Sequence, residues 1–358
     1  MTAGAGGLIR SHSTTIDALA GTFDQALQAR PDAVSVSYYR FAGRLARVRV
    51  VGKELSREVE RPFAHLRLNA DTEDTPELLI DLWDETATGV CGDPHDLSMP
   101  PEQGANITAS PDGRVVFYEV ANITTVLDRA RRHIIGWTTA ADQLTIYQRS
   151  RPLTGPLLLW LMDCGVPALH AGLVAKDGRG LLIGGPSGAG KSTVSLACAQ
   201  AGFDYLADDH IGLEVTQPGS YLGHSLFCSA NLEPGHLGRF PSLFSQGIRG
   251  RLVQDDKSMV LLSGASHRLG TSVPIRAVVL PRVTSSPHTT WRRAARPEAL
   301  LRIAPSSLFL AHARGLKDTF QELARLLQSV PAYWVELGRD ISEIPDRLSE
   351  ILSASDDS

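Results

Sequence analysis

The chain has 358 residues, enough for two domains or one large one, and 43% of them are apolar, which supports a sizeable core. Its 35 basic and 39 acidic residues leave a net charge of -4, without the basic excess of a general nucleic-acid binder. Cys91, Cys164, Cys198 and Cys228 are widely spaced and form no Cys-x-x-Cys, so neither a zinc site nor a disulfide framework is expected; reduced thiols in a cytoplasmic protein fit better.

The first 15 residues are small and polar, with no apolar stretch of signal-peptide type. Helical spacing follows at Ile16, Leu19, Phe23 and Leu27, predicting a helix over 16–29. The segments 34–39 and 45–51 alternate apolar and polar residues as half-buried strands do, and 78–83 and 115–120 read as further strands. Between the last two lies a loop over 85–112, rich in Asp, Gly, Pro and Ser. The pattern over 123–135 predicts a helix and that over 143–149 a strand. Residues 1–149 are thus expected to form an α+β N-terminal domain with an antiparallel sheet. The sequons at Asn106 and Asn122 are expected to carry no glycan.

A helix is predicted over 152–164; its longest apolar run, 157–162, is far too short to span a bilayer, and no membrane association is expected. Then come strands at 170–175 and 180–184, a glycine-rich turn, a helix over 193–201 and a strand over 205–215. Strands at 258–262 and 275–281, two helices between 297 and 329, a strand at 333–337 and a closing helix over 341–352 complete the pattern. Residues 150–358 therefore read as an α/β domain with a nucleotide site at the carboxyl end of a strand.

The turn reads Gly185-Pro-Ser-Gly-Ala-Gly-Lys-Ser192, the P-loop pattern, in its strand-to-helix context. Gly185, Gly188 and Gly190 let the backbone wrap phosphate oxygens, and the loop amides, Ser187, Ala189 and Thr193 included, stand at a helix N-terminus that favours anions. Lys191 can reach the β/γ phosphates and the Ser192 hydroxyl can hold Mg2+. Asp208 and Asp209 end the next apolar run. Beside a nucleotide phosphate, one carboxylate can accept the proton of an attacking hydroxyl while the other holds the metal. Both reach one site only if the strand ends or bends there. His170 opens the strand before the P-loop strand, where it can meet the phosphates or aspartates or serve structure alone. Lys257 and Arg282, each beside an apolar strand, are further candidates for phosphate contact, with solvated surface residues as the alternative.

His170-Ala-Gly-Leu-Val, the P-loop and Leu206-Ala-Asp-Asp209 together resemble the catalytic domain of bacterial HPr kinase/phosphorylase and of related kinases in ribosomal-peptide biosynthesis, lasso peptides among them. The resemblance is strong over 170–214, weak beyond, and absent from residues 1–149. It implies a P-loop kinase domain of HPr kinase type that moves the γ-phosphoryl group of ATP, with Mg2+, to a serine hydroxyl. By carry-over Asp208 is the general base, Asp209 a metal or orienting carboxylate, His170 their partner and Lys191 the phosphate lysine. Glu233 corresponds loosely to a metal-binding glutamate of the family, or is a turn glutamate. Thr193 replaces the family's acidic residue, and the later glycine-rich stretch is missing. Both departures point from HPr toward a peptide, another protein or a small alcohol as acceptor, and the first domain suits peptide or protein recognition, or assembly. The second domain is expected to bind ATP alone. A small-molecule kinase and a non-catalytic nucleotide switch stay open, as does a homo-oligomer; no Asn-Lys-x-Asp guanine motif or complete ABC signature occurs.

Overall fold

A computed structural model describes residues 12–69, 72–92, 107–232, 234–240, 250–251, 258–262, 268–308 and 316–356. Helix α1 (His12–Ala29) precedes the strands β1 (Val34–Phe41) and β2 (Arg44–Val51). Helix α2 (Lys53–Glu60) and a 3-10 turn (Arg61–Leu66) then cross to β3 (Leu78–Asp84), which runs into α3 (Glu85–Thr88). After these come β4 (Ile107–Ala109), β5 (Val115–Val120), β6 (Ile123–Asp128) and β7 (His133–Thr138). The sheet order is β1-β2-β3-β7-β6-β5-β4.

This sheet is mixed, not antiparallel as expected, because β2–β3 and β3–β7 are parallel pairs. Parallel neighbours need a long crossover, and α2 with its 3-10 extension supplies the first. The three strands are tied across their faces. Buried Asp81 on β3 receives both Arg49 nitrogens from β2 at 2.7 Å and meets His133 Nε2 of β7 at 2.8 Å.

Two local expectations fail here. Segment 123–135 is the β6–β7 hairpin, not a helix. Its β-branched start favours strand, and Asp128 Oδ1 accepts the Ala130 and Arg131 N–H groups at 3.0 and 3.1 Å, closing a turn. Segment 143–149 is not a strand. Thr145 and Gln148 form a capping box that starts α4 (Ile146–Ser150).

Helix α5 (Thr154–Asp163) leads to β8 (Ala168–Lys176), β9 (Arg179–Gly184), α6 (Lys191–Gln200), β10 (Asp204–Ala207), β11 (His210–Gln217) and β12 (Ser220–Ser225). A small sheet follows, made of β13 (Ser229–Leu232), β14 (Gly250–Arg251) and β15 (Ser258–Leu261). Then come β16 (Ser272–Val283), β17 (Thr290–Arg293), α7 (Arg296–Leu308), α8 (Leu316–Ser329), β18 (Ala332–Leu337) and α9 (Ile344–Asp356). Strands β9, β16 and β18 are parallel at the centre of the second main sheet. Their residues alternate between its faces. Leu181, Ile183, Val279 and Val335 pack with α6 and α9, whereas Leu182, Val278 and Leu280 pack with α7 and α8. Helices on both faces of this sheet make an α/β arrangement.

The two halves share a core. Leu157, Leu158, Leu161, Leu226 and Phe227 pack with Tyr39, Leu78 and Ile80 of the first sheet and with Phe63 of the 3-10 turn. Across the same seam Cys228 N–H donates to Pro62 O at 2.8 Å, and His65 Nε2 lies 2.7 Å from Ser225 Oγ. The four cysteines are free thiols, and no helix among the described residues is long and apolar enough to cross a membrane.

Candidate active site

The carboxyl end of β9 runs into the glycine loop, and α6 starts at Lys191 with Gly190 as its N-cap. Gly185, Gly188 and Gly190 have φ of 145°, 76° and 103°, a region costly for other residues. Gly190 is doubly constrained, since a Cβ there would stand 2.5 Å from Leu337 Cδ1. The Ala189 N–H closes the turn on Pro186 O at 3.2 Å. Lys191 is 7% exposed and folds over the loop, its Nζ donating to Gly185 O at 2.8 Å and Pro186 O at 3.2 Å.

The aspartates lie where the strand over 205–215 is interrupted. β10 pairs with one stretch of β8 and β11 with another, and Asp208 and Asp209 occupy the gap between them. The usual alternation is relieved there, so both side chains line the same cleft. Ser192 Oγ donates to Asp208 Oδ2 at 3.0 Å. Asp209 faces other partners: Oδ1 lies 2.6 Å from His170 Nε2, and Oδ2 is paired with Arg151 and lies 3.1 Å from His210 Nδ1. His170 and His210 are register partners across β8 and β11, with stacked rings 5.9 Å apart. Burial, then the neighbouring Arg151 cation, push the His210 pKa down to about 3, so the ring is neutral.

The cleft holds about 230 Å³ and has two unlike walls. Arg151, His170, Asp208 and Asp209 form a polar wall. Leu232, Val283, Leu337, Ile341 and Ile344 form an apolar one, with the P-loop residues Ser187, Gly188, Gly190, Lys191, Ser192 and Thr193 between them and Arg239 also facing the space.

Most of the candidates read from the sequence thus converge. Arg282 does not; its guanidinium covers the Trp334 ring at 4.5 Å and lies 3.6 Å from Glu336. Glu233 and Lys257 lie outside the described residues. Arg151, His210 and the apolar wall were missed. His210 directly follows the Asp-Asp pair and register with His170 could have flagged it; nothing local marks Arg151.

The serine hydroxyl and carboxylate oxygen brought together by Ser192 and Asp208 are hard oxygen donors of the kind Mg2+ takes beside nucleotide phosphates. Among the described residues no group of three or more His, Cys, Asp and Glu side chains forms a metal cage by itself.

No protein-family model matches the chain, and no curated protein matches its sequence. The resemblance to HPr kinase rests on the motif residues of 170–214 alone.

Proposed function

We propose that the chain is a P-loop kinase that transfers the γ-phosphoryl group of ATP to a hydroxyl, serine foremost, of a peptide or protein. The observation that carries this reading is the Ser192–Asp208 hydrogen bond. It ties the first turn of the P-loop helix to the carboxylate pair at the strand break, where a phosphate, a metal and an acceptor would meet.

In this reading the loop amides and Lys191 take the triphosphate. Lys191 exchanges its carbonyl partners Gly185 and Pro186 for phosphate oxygens. The apolar wall receives the nucleoside, and the acceptor enters along the polar wall. Ser192 and Asp208 would hold Mg2+, which would supply positive charge against the phosphates. Asp209, fixed by His170 and Arg151, orients the acceptor hydroxyl and receives its proton as the oxygen bonds to phosphorus and ADP leaves. These roles reverse the family-based expectation for the two aspartates, because Asp208 touches the Ser192 hydroxyl and Asp209 does not.

The reversal is testable. Asp208→Asn raises the Mg2+ concentration needed for half-maximal turnover, and saturating Mg2+ restores part of the rate. Asp209→Asn lowers kcat by about a hundredfold or more at unchanged Mg2+ requirement. The opposite pattern returns the aspartates to the family assignment, and full activity of both variants rejects the kinase reading.

A further inference from the structure

Arg151 is a cleft cation that belongs neither to the P-loop nor to the aspartate pair. It directly follows α4 and closes its C-terminal end, its N–H donating to Tyr147 O at 2.9 Å. The side chain is only 13% exposed, and burial lowers its pKa. A guanidinium removed from water is costly unless matched. Its matches are Asp209 Oδ2, with His210 Nδ1 at 3.2 Å and the Tyr147 ring at 5.6 Å.

The seat of Arg151 is built by the N-terminal half. Gln148 Nε2 on α4 donates to Val120 O at the end of β5, and Arg149 Nη1 lies 3.8 Å from Glu58 Oε2 on α2. On its other side α4 buries Ile146 against Met259 and Leu261 of β15, and Ser150 O accepts the Ser229 hydroxyl. The helix is therefore wedged between the first sheet and the small sheet. Asp209 joins this wedge to the cleft. Arg151 on Oδ2 and His170 on Oδ1 hold the carboxylate from its two ends.

We propose that Arg151 is a positioning residue through which the N-terminal half completes the acceptor side of the site. The proposal rests on the kinase reading for its effect on turnover, but not for its effect on the His170–Asp209 contact. It gives residues 1–149 a part in the chemistry without a catalytic group of their own: they hold α4, α4 holds Arg151, and Arg151 holds Asp209.

The test uses the full chain with Arg151→Gln, Arg151→Lys and the remote Gln148→Ala. A short His–carboxylate hydrogen bond gives a low-field imidazole N–H proton resonance, read by NMR of the histidine-labelled protein without nucleotide. The resonance is expected in wild type and Arg151→Lys and lost in Arg151→Gln. Arg151→Gln is expected to lower kcat by about a hundredfold while the nucleotide KM holds, as for a displaced catalytic group, and Arg151→Lys to recover part of it. Gln148→Ala should lower kcat moderately in wild type and not at all in Arg151→Gln, since both act along one chain of contacts. An unchanged resonance in Arg151→Gln, or additive losses in the double variant, overturns the proposal. If Arg151→Gln does not fold, Gln148→Ala decides: wild-type resonance and kcat there overturn it. If wild-type protein transfers no phosphoryl group, the kinase reading fails and the resonance alone judges Arg151.

Discussion

At the scale of single residues, the histidines set a pH dependence of stability. His210 is buried, and His65 is half-buried with its Nδ1 shielded from water and lacking a partner. Burial pushes the His65 pKa down to about 4 and that of His210 to about 3. In the unfolded chain both titrate near 6.5. Between pH 6.5 and about 4 the unfolded chain therefore binds protons that the folded chain refuses. Stability is full above pH 6.5 and falls on acidification, by up to about 1.4 kcal/mol per pH unit for each ring. Thermal unfolding at pH 7.5 and 5.5 checks this. A lower Tm at pH 5.5, with a smaller drop in His65→Gln, is expected; a Tm that holds or rises contradicts it.

Among the elements, the Arg49–Asp81–His133 group is the polar clasp of the first sheet. Burial alone would raise the Asp81 pKa, but the Arg49 and His133 contacts outweigh it and hold the carboxyl below its usual range. Asp81→Ala strands a guanidinium and should cost about 3–5 kcal/mol, read as a lower urea midpoint. A change below about 0.5 kcal/mol would mean that the clasp contributes little. The same sheet shows what periodicity can and cannot reveal. Strands with two-residue alternation, such as β1 and β2, were legible, as was the strand–loop–helix unit of the P-loop. The β6–β7 hairpin was not, since Ile123, Val126, Leu127 and Ile134 satisfy helical spacing as well, and the Asp128 turn that breaks it is a side-chain event. The Thr145–Gln148 capping box was visible but short. Parallel pairing of β2, β3 and β7 depends on how the connections cross, which local pattern does not encode.

For the whole molecule, the shared core bears on whether the second half can stand alone. Motif position suggests that it can. However, α5 and Phe227 bury their apolar faces against the first sheet, and residues 1–149 supply that sheet. A chain starting at 150 is therefore expected to aggregate or to unfold at a markedly lower temperature, rather than to bind ATP as a stable unit. Soluble truncated protein with wild-type nucleotide affinity would contradict this. The glycine loop, Asp208, Asp209 and His170 were legible in the sequence because each is close to the P-loop strand in the chain. Arg151 was not, because its cleft partners Asp209 and His210 are distant in the chain and it depends on α4 being wedged between two sheets. All of these roles depend on phosphoryl transfer from ATP at the P-loop. Its most direct test is mass spectrometry of serine-bearing peptides incubated with ATP and Mg2+ and either wild-type protein or Lys191→Ala. A peptide heavier by one phosphoryl group is expected with wild type, and a rate lower by about a thousandfold with Lys191→Ala. Equal rates from the two proteins would contradict it, as would no phosphorylated peptide from wild-type protein that binds ATP.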